Sequence, residues 1–301
     1  MTVQAMSSFA AFVGFFAARH RADFPYNSRI GCELELNMVG ALGNDAPSKL
    51  LPRALELIDR MNVEHPNLTM HFGAEPYKGQ FEVRTRPHTA VSSMVEELCR
   101  ILDVADQVAA VFVGGCKLQA IEYHEPEHIL DLLIQLSGQD DPFGGRTLDQ
   151  LTFAELLPII HPEQAYRDYM AEDLDRARSM LRVASQQFML EGRDPEHCLR
   201  IYNAVAEQAP GLIQDWAHPG RVAAFESICS GWSRPRVFAS LREMYEYYIE
   251  MRFPTVKKAY MALCLHHQAP AVEVRFPGCT RDPNLMTQRA QLLWDIRDSV
   301  D

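Results

Sequence analysis

Five short stretches place acidic, basic and amide side chains where they could share a task. Ile30 to Asn37 (IGCELELN) alternates strictly, so a strand here would carry Glu33, Glu35 and Asn37 on one face and Cys32, Leu34 and Leu36 on the other. Gly79 to Arg84 (GQFEVR) puts Gln80, Glu82 and Arg84 opposite Phe81 and Val83. Ala271 to Phe276 (AVEVRF) puts Glu273 and Arg275 opposite Val272, Val274 and Phe276. Ser185, Gln187, Met189 and Glu191 share a face of the stretch 181–191, and Glu75 stands just before the turn Pro76-Tyr77-Lys78-Gly79. If these strands belong to one sheet, a single face carries Glu33, Glu35, Glu75, Glu82, Glu191 and Glu273, with Arg84 and Arg275.

Two carboxylates about 7 Å apart on a dry strand face repel and lose hydration. A divalent cation relieves both, and a carboxylate cluster is how proteins hold Mg²⁺ or Mn²⁺, commonly shared with substrate phosphates. Arg275, two residues from Glu273, would project beside such ions and could neutralise a phosphoryl group in transfer. The plainer alternative is a solvated face with surface ion pairs, as on one side of any antiparallel sheet.

The elements that must position these groups follow from periodicity. Helices are expected over 49–62 (with Pro52 in the first turn), 89–113 (begun by Thr89, with Glu96 and Glu97 outward), 163–180, 195–216, 237–251, 254–267 and 282–299. Phe9 to Ala18 is a further helix capped by Ser7 or Ser8, too short to span a membrane and without a basic lead. Strands are expected at 30–39, 69–75, 80–86, 181–191 and 271–276. The segment 114–162 reads as loops with a short helix near 126–136, and 217–236 as a loop. The fold class is α+β, a mostly antiparallel sheet backed by helices, with the whole chain 1–301 as one domain.

Composition narrows the partners. The chain has 301 residues, is 47% hydrophobic and 23% charged, and carries a net charge of -11 with no basic run. This argues against nucleic acid or an anionic membrane as the main partner. Seven scattered cysteines with no CxxC pair fit a reducing cytoplasm, and none has an assignable histidine partner. There is no P-loop, no GxGxxG and no G-x-S-x-G elbow. His124 and His128 are four apart but interrupted by Pro126, so a loop or helix start is expected there. His266-His267 is expected to cap a helix end. Arg234-Pro235-Arg236 could hold a substrate carboxylate or phosphate, or be a plain surface loop.

Four of these segments, in order, resemble the glutamate–cysteine ligases, over about residues 25–300. Gly31-Cys32-Glu33-Leu34-Glu35 resembles their first strand. Gly79-Gln80-Phe81-Glu82-Val83, followed by a proline and a long helix, resembles the GGQFELS segment of the plant and actinobacterial branch. Ser185 to Glu191 resembles the TVQVNLD strand, with Met189 in place of asparagine, and Glu273-Val274-Arg275 resembles the late E-(M/V)-R strand. The chain is shorter than those enzymes. The resemblance implies a glutamine-synthetase-like fold, a curved antiparallel sheet forming a funnel for ATP and Mg²⁺ (or Mn²⁺). It implies ATP-dependent amide formation between small-molecule carboxylate and amine substrates through an acyl phosphate. It implies Glu33, Glu35, Glu75, Glu82 and Glu273 as metal ligands, Glu82 and Arg275 as catalytic, and Gln187, Glu191, Arg84 and Arg275 around the nucleotide. It leaves the amine substrate open, along with any homo-oligomer. A guanidino-kinase-like phosphotransferase and a non-catalytic binding relative are the alternatives.

Overall fold

The computed structural model describes residues 8–19, 26–40, 49–112, 116–229, 231–251, 261–266 and 269–301. Its centre is β1 (Ile30–Gly40), whose Cys32, Leu34, Leu36 and Met38 are fully buried on one face. Leu34 and Leu36 pair across to Val83 and Phe81 of β4 (Gln80–Arg84), and Cys32 to Phe188 of β6 (Gln186–Glu191). The sheet continues outward through β3 (Phe72–Ala74) beside β4, and through β8 (Ala271–Val274) and β7 (Leu263–Leu265) beside β6. Two short strands, β2 (Lys49–Leu50) and β5 (Lys117–Gln119), pair with the far end of β1. Every pairing is antiparallel, so the chain is α+β as its alternation predicts.

The apolar face is covered by α3 (Val91–Phe112), α8 (Pro195–Trp216) and α11 (Pro283–Asp298), with α1 (Phe9–Ala17), α2 (Ala54–Glu64) and α10 (Leu241–Glu250) around them. Their starts follow local chemistry. Ser8, Asp194, Ser240 and Asp282 each accept a backbone N–H of the first turn, and Pro195 and Pro283 occupy the positions where a missing N–H does no harm. Each large apolar side chain removed from water in this core contributes about 1.5–3 kcal/mol. A second core lies over the opposite face, at the end of β1 where Val39 continues the phase of Glu33, Glu35 and Asn37. It joins Val39 and Leu50 to Tyr77, α4 (Pro126–Ser137), α5 (Phe153–Leu156), α6 (Gln164–Ala171) and α7 (Leu174–Met180).

Several expectations are corrected. The strand expected over 181–191 begins only at Gln186, and Ser185 bridges Gly278 instead. Residues 66–71 are a 3-10 turn after Pro66, which shortens the strand expected at 69–75. Helix α2 starts at Ala54, beyond Pro52. The helix expected over 163–180 breaks at Asp173, which caps α7. The stretch 217–236 holds α9 (Pro219–Ile228), begun by Pro219 behind His218. Within 254–267, residues 263–265 are a strand rather than a helix, which removes the helix end expected at His266; residues 254–260 and His267 lie outside the described residues. Glu97 faces inward, not outward: it is buried, accepting the Arg86 N–H at 2.7 Å and meeting His88 Nε2 at 2.8 Å.

Candidate active site

The register sets out the acidic face in rows. Glu35 stands opposite Glu82, and Glu82 opposite Gly73. In the next row Arg84, Glu33 and Gln187 are cross-strand neighbours, and Arg275 follows two residues after Glu273. The third row is Gly31, Met189, Glu273 and Cys264. The face runs across six strands, β3, β4, β1, β6, β8 and β7, and the second core walls it at the Val39 end.

Within this frame Glu35, Glu75 and Glu82 gather. One carboxylate oxygen from each lies within 4.8 Å of the others, a spacing fit for one shared cation. Glu35 is anchored by the Ser185 N–H at 2.6 Å and by Gln187 Nε2 at 2.9 Å. Glu82 forms an ion pair with Arg84 at 2.7 Å. Gly73 makes room for that pair, since a Cβ there would stand 2.2 Å from Arg84 Nη2 and 3.1 Å from Glu82 Oε1. Glu75 enters from just beyond β3, where the Tyr166 hydroxyl of α6 holds the Ala74 carbonyl at 2.8 Å.

The cluster carries electrostatic tension. Burial raises Glu35 to about 7, against the lowering influence of Ser185, Arg221 and Gln187. Burial likewise raises Glu82 to about 7, against Arg84. Burial pushes Glu33 well up, helped by the carboxylates of Glu82 and Glu273. Glu75 is raised by burial and then by Glu35, Glu82 and Glu33, with Arg84 the opposing charge. Glu33, Glu35, Glu75 and Glu82 are all pushed toward their protonated forms by burial and by one another, and a divalent cation would favour their ionised forms instead. The donor set is all oxygen, which suits Mg²⁺ or Mn²⁺ and not a thiolate-seeking metal.

The remaining sequence candidates divide. Glu273 turns to Arg275, with Oε1 to Nε at 2.7 Å and Oε2 to Nη2 at 2.9 Å. Burial would raise Glu273, but the charge and hydrogen bonds of Arg275 outweigh it and hold the carboxyl at about 2. Glu273 is therefore the ionised partner of an arginine here, near enough to Glu33 and Glu82 to raise both. Gln187 lies inside the cluster as a support of Glu35. Glu191 stands at the far end of β6, ion-paired with Arg29 and accepting the Arg29 N–H at 3.0 Å, away from Glu35 and Glu82. His124 and His128 flank the start of α4. His266 accepts the Ala269 N–H at 2.9 Å.

Sequence reasoning missed Arg221. It is fully buried, with Nη2 donating to Ser185 Oγ at 2.7 Å and to the Arg275 carbonyl at 2.8 Å, and Nη1 donating to the Phe276 carbonyl. It ties the segment that anchors Glu35 to the segment that carries Arg275. Pro219 just ahead of it is the helix-start signal that could have found it.

No protein-family model and no curated protein matches the chain. Among solved structures it is similar to the crystal structure of a bifunctional glutathione synthetase from Pasteurella multocida, with a TM-score of 0.47 and 11% identity. That likeness covers 95% of this chain and 41% of the other, so this chain spans less than half the length of that protein.

Proposed function

We propose that the protein is an ATP-dependent carboxylate–amine ligase of the glutamate–cysteine-ligase type, acting on small molecules in the cytoplasm with Mg²⁺ or Mn²⁺. The observation that carries this reading is the buried Glu35–Glu75–Glu82 cluster, on a face that also bears Glu33, Gln187 and the Glu273–Arg275 pair. Glu35, Glu75 and Glu82 would hold one divalent ion, and Glu33, half-buried beside Glu82, would complete its shell or a neighbour's. Mg·ATP held there would supply the phosphoryl group that activates a carboxylate as an acyl phosphate, with ADP as the leaving group, and an amine would then displace phosphate to give the amide.

The chain's own residues have separable tasks. Ser185 and Gln187 orient Glu35. Arg84 screens Glu82. Arg275 stays fully charged across the physiological range and presents a planar fork suited to phosphoryl oxygens, with Glu273 fixing its orientation. The acidic face, where ionised, would repel free ATP, so nucleotide should bind with its cation. Seven cysteines without a disulfide among them fit a reducing compartment, and no described helix is long and apolar enough to cross a membrane.

The test is a Mn²⁺ binding isotherm on the parent, Glu35→Gln and Glu82→Gln, with circular dichroism confirming the fold of each. Mn²⁺ should bind the parent, and each variant should weaken it by at least tenfold. Equal affinity in all three, or no binding to the parent, would overturn the metal site and the ligase reading built on it.

A further inference from the structure

Beyond Arg275 the row of site residues runs into a cavity. The Arg275 N–H donates to the Ala262 carbonyl at 2.8 Å, and Met261 and Ala262 form one wall of a space of about 220 Å³. Cys229, Trp232 and Tyr247 supply the other apolar walls, and Arg234 and Arg236 stand at the exposed rim. Cys229, Trp232, Met261 and Ala262 are buried. The space is apolar within and cationic at its mouth.

The loop that carries the arginines is a built structure. Glu226 accepts the Gly231 N–H at 2.8 Å and the Ser233 N–H at 2.6 Å. Trp232 stacks on Phe225 with ring centroids 4.8 Å apart, and the Arg221 guanidinium lies 5.5 Å from the Trp232 ring. Asn203 closes the loop's end with paired hydrogen bonds to the Phe238 backbone. Arg221, which braces Trp232, also holds the carbonyls of Arg275 and Phe276. Cavity wall and site strand are thus fixed to one side chain. At the rim Arg236 pairs with Glu243 at 2.8 Å and lies over Tyr247. Arg234 makes no ion pair among the described residues.

We propose that this cavity seats the amine substrate, and that the substrate is an α-amino acid with an apolar side chain. The proposal rests on the ligase reading above. A cationic rim over an apolar pocket recognises an anion with an apolar body. At about 220 Å³ the space is far above the roughly 10–15 Å³ that holds one water and below the ~300–1,000 Å³ of sites for drug-sized ligands. That is smaller than a nucleotide and close to leucine or phenylalanine. The carboxylate to be activated must stand beside the ions, so the space on the other side of Arg275 is left to the nucleophile. Holding the amino acid by its carboxylate on Arg234 leaves its nitrogen free to face Arg275 and the acyl donor. The apolar side chain then rests on Trp232, Tyr247 and Met261.

The experiment is ligand-observed NMR and calorimetry with L-leucine, L-phenylalanine and phenethylamine. These are run with and without Mg²⁺ and a non-hydrolysable ATP analogue, on the parent, Arg234→Lys and Arg234→Gln. Arg234 is exposed, so neither variant should disturb folding, and Mn²⁺ affinity should stay at the parent value in both. At least one amino acid should bind the parent, phenethylamine should not, Arg234→Gln should weaken binding by tenfold or more, and Arg234→Lys should recover part of it. The proposal is overturned if neither amino acid binds up to about 10 mM under either condition, a threshold near the weakest specific affinities. It is also overturned if phenethylamine binds as well as phenylalanine, or if Arg234→Gln binds like the parent. Amino-acid binding without any amide product would keep this seat and remove the ligase reading. Amide formation from an amine that never occupies this cavity would do the reverse.

Discussion

Removing divalent ions and raising the pH should destabilise this protein, because its acidic cluster must then ionise without a countercharge. Glu35 and Glu82 both sit at about 7 in the folded chain, against an ordinary 4.5. A carboxylate raised by folding binds more protons in the native state than in the unfolded one. Its stabilising effect is whole below the ordinary value and is lost as pH rises through 7. Buried histidines act oppositely: His124, lowered to about 4 by burial and by His128, gains stability as pH rises, as do His161 and His197, which burial also lowers, and this gain fades over the unit above their unfolded value of 6.5. A variant lacking both carboxylates keeps these histidines, so its difference from the parent isolates the carboxylates. Between pH 6.5 and 8.0 each of the two groups gives up about 1 kcal/mol, and Glu33 and Glu75 add to the fall. For a chain of this size that is a loss of roughly 4 °C in melting temperature. The assay is thermal unfolding in EDTA at steps across that window, for the parent and for a Glu35→Gln/Glu82→Gln double variant whose amides cannot titrate. The parent curve should fall against that of the double variant, and saturating Mn²⁺ should abolish or reverse the fall, by about 2.7 kcal/mol at a hundredfold excess over Kd. Parallel curves in EDTA, or a parent curve unchanged by saturating Mn²⁺ in buffer free of EDTA, would refute the reasoning.

Other perturbations separate the parts of the site. Arg275→Lys keeps a charge but loses the fork that spans Glu273; calorimetry should show ATP affinity within a few-fold of the parent, while phosphate release under saturating substrates falls by roughly 10²-fold, the scale of one positioned electrostatic donor. Gly73→Ala places a Cβ 2.2 Å from Arg84 Nη2; the flexible guanidinium should swing away, so circular dichroism stays unchanged while Mn²⁺ isotherms shift, and unaltered binding would show that the Arg84–Glu82 contact does not shape the cluster.

Much of the site's frame is legible in the sequence, because strand alternation needs no tertiary information. Period two alone puts Glu33, Glu35, Glu82, Gln187 and Glu273 on one face, and the register confirms that face. What alternation cannot show is how far apart strands end. Glu191 has the right phase, yet at the last residue of β6 it meets Arg29 instead of the cluster. Nor can it show which carboxylate finds a partner on its own strand, as Glu273 does with Arg275. Glu75 comes from outside any strand, and its place depends on the turn at Pro76 and on α6 packing over Ala74. Glu97 has the spacing of an outward helical residue but is drawn inward by the Arg86 N–H and His88, a satisfaction of backbone donors that helical periodicity does not register. The helix carrying Arg221 was hidden by Gly, Pro and Ser around it, which read as loop residues although Pro219 is a first-turn proline.

The most direct test of the central claim is a single incubation of the protein with ATP, Mg²⁺ and a pooled set of amino acids, reading phosphate release beside mass spectrometry of the products. Phosphate should appear in step with one new amide, only when nucleotide, metal and amino acids are all present, and Glu82→Gln should abolish both. Phosphate release without a new amide, a phosphorylated amino acid in place of one, or no turnover at all would contradict carboxylate–amine ligation.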